Sequence, residues 1–299
     1  MKKIFVLAIS LSAAILSSKT QAQQLFRMSQ YVQHNFIYNP AAAGITDSGS
    51  VGITYKKMWS GIEGGPQTTI LYADKYFAGY NTGAGFVLYN DVTGFTARSG
   101  MDMNLAYALR FSGNRKLQFG LNVQILQERI DKAAIEKYVP GNPILPGPGS
   151  KMTADAGAGI YYTSSGFSGG VSVKQIVQSK LGLITAKTDE AGRLYRHYYV
   201  TANYNWVVDE ANTIIPSMML RMSEKVPADV ELGAILMHKG LFWTGFGWHQ
   251  NQNFSAYAGV RIKDKYTIGY AFDQYKTPLS TFDGGAGAHE VSLRYFFRK

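Results

Sequence analysis

Most of this chain after residue 48 alternates between apolar and polar side chains, one residue after the other. In the clearest segment, Leu117–Ile125, the odd-numbered residues are Leu, Phe, Leu, Val and Ile, and the even-numbered ones are Gln, Gly, Asn and Gln. A period of two is typical of a β-strand with two different faces, whereas an amphipathic helix repeats every 3.6 residues. No segment after residue 48 keeps a helical period for more than a turn or two. The pattern therefore predicts an all-β, antiparallel fold.

The number and spacing of these segments indicate a closed barrel. Fourteen segments alternate, at about 49–58, 67–76, 83–90, 99–111, 115–127, 152–162, 167–177, 195–207, 212–222, 230–238, 241–248, 254–262, 266–273 and 288–297. An even number is what single-chain bacterial barrels require. Connections after even-numbered segments are short, and those after odd-numbered ones, such as 91–98, 128–151 and 223–229, are mostly longer. Outer-membrane barrels have short periplasmic turns and longer extracellular loops, so both termini are predicted to be periplasmic.

Alternation alone does not distinguish a membrane barrel from a soluble sandwich, because a sandwich also buries one face of each strand. Two details favour the barrel. Charged residues and glycines stand at mid-strand positions of the non-apolar face, as expected for a polar interior. Aromatic residues also concentrate near the predicted strand ends, as in the girdles of outer-membrane barrels: Tyr55, Trp59, Tyr89, Tyr107, Tyr161, Tyr162, Trp206, Trp243 and Trp248. We therefore expect a transmembrane β-barrel of about 14 strands in the outer membrane of a Gram-negative bacterium.

The N-terminus resembles a secretory signal peptide. A basic start at Lys2 and Lys3 precedes a short apolar core, and small residues at Thr20 and Ala22 fit a cleavage site after Ala22. Removal of residues 1–22 would lower the net charge from +10 to +7, because this region carries three lysines and no acid. Residues 23–48 contain no spanning strand and are predicted to be periplasmic or luminal. Residues 49–299 form the predicted barrel.

The sequence offers little for catalysis or metal binding. It has no cysteine, and its five histidines show no metal-binding spacing. No nucleophile elbow, P-loop or dinucleotide motif occurs. We therefore predict a protein that is not an enzyme, with no catalytic residue, cofactor or metal. The adjacent His289 and Glu290 are expected to form a polar pair facing the lumen rather than an acid–base pair.

The basic net charge indicates attraction to lipopolysaccharide phosphates, to other outer-membrane lipid or to an acidic partner, and not to nucleic acid. The loop at 128–151 is unusual because it carries four prolines, which limit its flexibility. Two interpretations stay open for this loop. It is either a tolerated surface loop or a docking arm for a protein partner.

Several blocks in order along the chain resemble the PorP/SprF family of outer-membrane proteins of the type IX secretion system. The block from Phe26 to Tyr31, with Asn35 and the run Tyr38–Gly44, is similar to the family's "FSQY…NPAYAG" motif, with Arg-Met inserted after the phenylalanine and Ala42 in place of tyrosine. Tyr55–Gly61 with Gly65–Thr68 resembles its "R-x-Q-W-x-G…G-x-P-x-T" block. Further similarity extends through Asn90-Asp91, Tyr107–Arg110, Leu117–Gly120, Asp155–Tyr161, Arg196–Tyr199 and the closing strand at His289–Tyr295.

The resemblance implies a non-enzymatic barrel that binds secretion partners. These include periplasmic ring or anchoring proteins and secreted surface proteins such as adhesins, some of them adhesins of gliding motility. It implies that the protein supports the export or surface attachment of these secreted proteins. The alternative function is that of a passive diffusion porin. The residues predicted to contact partners come from the N-terminal motif, the block after the first strand and the proline-rich loop: Phe26, Ser29, Gln30, Tyr31, Asn39, Pro40, Trp59, Pro66, Tyr138, Pro140, Pro143 and Pro146.

Overall fold

A computed structural model describes residues 25–46, 48–141, 149–181, 193–224, 226–250, 253–276 and 279–297. The predicted signal peptide lies outside these residues. Fourteen barrel strands run through the described part of the chain: β1 (Gly49–Lys57), β2 (Gln67–Phe77), β3 (Thr82–Thr93), β4 (Thr96–Phe111), β5 (Arg115–Ile130), β6 (Ser150–Thr163), β7 (Phe167–Lys174), β8 (His197–Tyr204, continued by Trp206–Val207), β9 (Asn212–Ser223), β10 (Val226–His238), β11 (Phe242–His249), β12 (Asn253–Ile262), β13 (Tyr266–Tyr275) and β14 (Ala288–Phe297).

The strands close into a ring. Each strand pairs antiparallel with the next along the chain, and β1 pairs with β14 so that Gly49 lies opposite Phe297 and Lys56 opposite Glu290. The prediction of an all-β, closed, antiparallel barrel of 14 strands is confirmed. Closure leaves no unpaired strand edge, which a sheet within a bilayer requires because lipid offers no hydrogen bonds. Within the described residues, no helix combines the length and the apolar character needed to cross a membrane.

The burial of side chains is inverted relative to a water-soluble protein. On β5 the apolar residues point outwards and the polar ones inwards, so that Leu121 is 68% exposed whereas the neighbouring Asn122 is 3% exposed. The same alternation runs through β4, β13 and β14. An apolar outer face is stable only against lipid, whereas exposure of this much apolar surface to water would cost free energy.

The connections fall into two sets at opposite ends of the barrel. The short-turn end carries the connections after β2, β4, β6, β8, β10 and β12, each of four residues or fewer. The long-loop end carries the connections after the odd strands, including 58–66, 131–149, 175–196 and 276–287. Short helices lie in two of these loops: α2 (Lys132–Tyr138) and α3 (Leu279–Phe282). The predicted long loops at 91–98 and 223–229 are wrong, because the neighbouring strands continue pairing as far as Thr93 opposite Thr96 and Ser223 opposite Val226.

The predicted aromatic girdles account for only part of the aromatic set. Tyr107 and Trp206 do point outwards, at 53% and 59% exposure. Tyr89, Tyr161 and Trp243 point into the lumen and are buried. A lumen of this width needs bulky side chains to fill it. An aromatic ring near a strand end can therefore face the lumen and fill it, or face the lipid as part of a girdle.

Residues 25–46, called here the luminal segment, run through the inside of the barrel. They contain a 3₁₀ turn at Tyr31–Gln33, the helix α1 (Asn35–Tyr38) and a second 3₁₀ turn at Pro40–Ala42. Leu25 lies beside His197, Ser223 and Val226 at the long-loop end. Gly44 lies against Gly83 at the short-turn end, where β1 begins. The segment therefore crosses the lumen from one end of the barrel to the other. The first and last described residues, Leu25 and Phe297, lie at opposite ends, which disagrees with the prediction that both termini are periplasmic.

Candidate functional site

A buried ion cluster near the long-loop end holds the first part of the luminal segment. The Lys56 ammonium lies 2.7 Å from Asp273 Oδ2 and 3.8 Å from Glu290 Oε2, and it donates to Ser29 Oγ at 2.7 Å. Glu290 accepts hydrogen bonds from the backbone N–H groups of Ser29 at 2.6 Å and Gln30 at 3.1 Å. Lys56, Asp273 and Glu290 are each at most 4% exposed. Buried charges need such partners, so the segment and the barrel wall stabilise each other here.

A second ion cluster surrounds Arg27. Its guanidinium contacts the His249 ring and lies 3.4 Å from Asp229 Oδ2. Arg221 joins the same group through Asp229 and Glu231. The two clusters are connected, because Ser255 donates to Asp273 at 2.6 Å and contacts the His249 ring at 3.1 Å. One polar network therefore links seven strands, β1 and β9 to β14, to the luminal segment.

The other half of the segment is held by backbone contacts. The Asn39 amide donates to the carbonyl oxygens of Ile160 at 3.0 Å and Val171 at 3.2 Å, on β6 and β7. Ser172 Oγ donates to the Tyr38 carbonyl at 2.9 Å, and Gln118 Nε2 donates to the Ala43 carbonyl at 3.2 Å. These bonds fix the segment against one side of the barrel and satisfy backbone groups that water does not reach.

Glycines on the inner face of the wall make room for this contact. At Gly120 an added Cβ would overlap backbone atoms of Pro40 and Ala41, and at Gly83 it would overlap the Ala43 carbonyl. At Gly159 it would overlap the Asn39 side chain. The glycines of the alternating segments therefore let the luminal segment approach the strand backbones closely.

Aromatic rings complete the packing. Phe26 lies 5.0 Å from Tyr89, and Tyr38 lies 5.5 Å from Tyr199, measured between ring centroids. His34 packs edge-on against Tyr72 at 4.8 Å. His34 is 1% exposed, and neither of its ring nitrogens has a hydrogen-bond partner among the described residues. A buried imidazole without partners is stable only in its neutral form.

Acidification should therefore loosen the luminal segment. A protonated imidazole needs hydrogen-bond acceptors, and His34 has none among the described residues. The docked segment therefore holds His34 neutral, whereas an undocked segment exposes the ring to water and lets it take up a proton in acid. Docking should therefore weaken as the pH falls below about 6.5, the ordinary pKa of a histidine in water.

The measurement uses a single thiol in a chain that has no natural cysteine. The Ala42→Cys variant, whose buried side chain reacts only when the segment opens, is compared with the Ala42→Cys, His34→Phe double variant at the same pH. Intrinsic thiol reactivity then cancels. The labelling rate of Ala42→Cys divided by that of the double variant should rise as the pH falls from 7 to 5. The same quotient at both pH values would contradict the role given to His34.

The structure does not bring the predicted partner-binding residues together. Ser29, Gln30, Tyr31, Asn39 and Pro40 are buried in the lumen, and Phe26 is half-buried there. A partner reaches them only if the segment leaves the barrel. The loop residues Trp59, Pro66, Tyr138 and Pro140 lie at the long-loop end, whereas Pro143 and Pro146 lie outside the described residues. Their role in binding partners stays a prediction.

Of the wall residues that hold the segment in the first ion cluster, only Glu290 was singled out from the sequence, as a residue facing the lumen. Lys56 and Asp273 were visible only as charges on alternating strands. The predicted polar pair of His289 and Glu290 is wrong, because adjacent strand residues face opposite sides of the sheet: Glu290 points into the lumen, and His289 points outwards to Tyr270. Among the described residues, no three His, Asp or Glu side chains are grouped as metal ligands.

An apolar outer face, a closed ring of strands and a lumen crossed by the chain's own N-terminal segment define a transmembrane β-barrel with an internal plug. The chain belongs to the family described as type IX secretion system membrane protein PorP/SprF, whose sequence profile matches residues 20–295. The resemblance noted in the sequence is thereby confirmed. The chain is a type IX secretion system barrel of the outer membrane.

Solved structures agree on the fold. The chain is similar to a Pseudomonas aeruginosa FadL homologue (TM-score 0.50, 10% identity, 87% of this chain and 92% of that chain). It is also similar to a monoaromatic hydrocarbon channel, the TodX deltaS2S3 mutant (TM-score 0.50, 9% identity, with the same coverage). The outer membrane protein Omp33 of Acinetobacter baumannii gives a TM-score of 0.47 at 9% identity, over 86% of this chain and 100% of that chain. At these identities the likeness concerns the fold alone. No curated protein matches the chain.

Proposed function

We propose that this protein is a plugged, non-enzymatic barrel that binds partners of the type IX machinery and supports export or surface attachment of secreted proteins such as adhesins. The observation that carries the proposal is the luminal segment, which occupies the path that a diffusing solute would take. A passive porin needs an open lumen. Here charged clusters, hydrogen bonds and aromatic rings hold the segment in place. The protein's contribution is therefore binding rather than conduction.

The distribution of connections supports an orientation. Short turns in outer-membrane barrels lie in the periplasm, and longer loops lie outside the cell. We place the short-turn end of this barrel in the periplasm, where secretion subunits assemble. The long-loop end then faces the cell surface, where lipopolysaccharide and secreted proteins are met. In the exposed loop after β5, Tyr138 packs against Phe95 and stays 68% exposed, as a contact residue for a surface protein would.

Affinity purification from native outer membranes tests this function. The tagged protein should co-isolate secretion subunits and a large surface protein. A Tyr138→Ala variant should lose most of the surface protein while it keeps the secretion subunits. A Tyr80→Ala variant is the matched control, because Tyr80 is also largely exposed, at 79%, but lies in a turn at the opposite end of the barrel. Isolation of the barrel alone, together with a large steady conductance, would support a diffusion porin instead.

A further inference from the structure

An open cavity of about 250 Å³ lies at the short-turn end, between the luminal segment and the inner face of β9 to β14. Val32 and Ile45 line it from the segment. Ile215, Met237, Trp243 and Phe296 line it from the wall. Each wall residue is close to a strand end, so the cavity is reached from the compartment that faces the short turns. It lies on the opposite face of the wall from the lipid.

Two arginines stand beside this apolar surface, and they differ in their partners. Arg294 is fully engaged: it donates to Ser50 Oγ at 2.9 Å and to the Gln33 carbonyl at 2.8 Å, and it lies 3.2 Å from Asp74. Arg261 stacks over the Phe296 ring at 5.4 Å but forms no ion pair in the part of the chain that the structure describes. A half-buried guanidinium that has no carboxylate partner can donate its N–H groups to an anionic ligand.

The turn beside Arg261 adds to its positive charge. Lys263 and Lys265 flank a single acid there, Asp264, whereas Lys239 lies next to a turn at 208–211 that carries two acids. The positive field is therefore strongest on the Arg261 side of the cavity mouth, where it attracts negative charge. An apolar pocket beside an arginine that has no carboxylate partner among the described residues is complementary to an apolar side chain next to carboxylates.

From this complementarity we propose that the cavity binds an acidic peptide segment of a partner protein. An apolar side chain of the partner enters between Val32 and Met237, and a neighbouring carboxylate pairs with Arg261. A lipid is a poorer fit, because the cavity opens into the lumen rather than the bilayer. The cavity is also smaller than the roughly 300–1,000 Å³ typical of small-ligand sites, and it suits one or two side chains.

Binding of synthetic peptides to the purified full-length protein tests the proposal. A fluorescein-labelled octapeptide with four acidic residues and one phenylalanine should raise its fluorescence anisotropy on binding, with a micromolar dissociation constant. Replacing its phenylalanine with serine should weaken binding at least about fivefold, and replacing its acids with lysine should abolish binding. Arg261→Gln should weaken binding of the acidic peptide about tenfold.

Controls distinguish this site from general attraction. Arg115→Gln removes an exposed cation at the same end of the barrel, away from the cavity, and should leave the dissociation constant within about twofold. Met237→Asn should weaken the phenylalanine peptide but not the serine peptide. Equal losses in the Arg261 and Arg115 variants would overturn the proposal. The proposal would also be overturned if phosphatidylglycerol vesicles displaced the peptide and their own binding were lost in Arg261→Gln, because the site would then bind lipid.

The inference rests on the proposed function only for its assignment of the short-turn end to the periplasm. The two tests fail separately. Peptide binding without co-isolation of secretion subunits would refute the proposed function and leave this site intact. Co-isolation of those subunits without peptide binding would refute the site alone.

Discussion

Planar bilayers that contain the intact protein should show little ion conductance, and a variant that lacks residues 25–45 should conduct steadily. The reason is geometric. The luminal segment occupies the barrel from Leu25 at one end to Gly44 at the other, and its removal leaves a lumen lined by charged and polar side chains. We expect the deletion to raise the conductance about tenfold or more, as in barrels that hold an aqueous channel.

A wall substitution gives the same test without shortening the chain. Gly120→Leu places a side chain where the backbone of Pro40 and Ala41 now lies, so the segment has to leave that side of the lumen. Gly247→Ala is the matched control, because it also faces the lumen but an added Cβ there meets its nearest atom, Ser255 Cβ, at an ordinary 3.5 Å. A large conductance of the intact protein, unchanged by deletion or by Gly120→Leu, would rule out a plug.

Replacing Lys56 with methionine should release the first part of the luminal segment. The substitution leaves Asp273 and Glu290 buried without the cation that they share with Ser29. Loss of one partner from a buried ion cluster costs about 3–5 kcal/mol. The free energy that docks the segment should fall by this amount, and Arg27 should become accessible to trypsin.

The rate of tryptic cleavage after Arg27, followed by mass spectrometry, measures this change. Lys57→Met serves as the control, because the neighbouring lysine lies on the other face of the same strand and forms no part of the cluster. The Lys56→Met, Asp273→Asn double variant should recover part of the protection, since it removes a charge of each sign. If Lys56→Met resists trypsin as well as Lys57→Met does, the cluster does not hold the segment.

The sequence predicted the faces of the strands better than their ends. Alternation along β5 is local, so each residue's direction follows from its neighbours, and the exposed Leu121 and buried Asn122 confirm it. The tight turn at 94–95 was missed, because β3 and β4 continue pairing through polar residues whose alternation is weak. A strand ends where its neighbour stops pairing with it, and the residues that decide this belong to the neighbouring strand.

The candidate site was harder to predict for a related reason. Lys56, Asp273 and Glu290 lie on β1, β13 and β14, at opposite ends of the chain, and they meet only because the ring closes. The N-terminal motif did indicate that residues 26–44 matter, but their burial depends on a lumen built by the strands between Gly49 and Phe297. No spacing in the sequence encodes such a meeting.

Closure of the ring has a further consequence for assembly. The seam of the barrel joins the first strand to the last, and at this seam Lys56 stands opposite Glu290. The same carboxylate receives the backbone N–H groups of Ser29 and Gln30. Docking of the segment thus adds hydrogen bonds at the seam itself, so the pairing of β1 with β14 and the docking of the segment stabilise each other. A barrel that holds its own N-terminal segment therefore has a more stable seam than one whose lumen is filled with water.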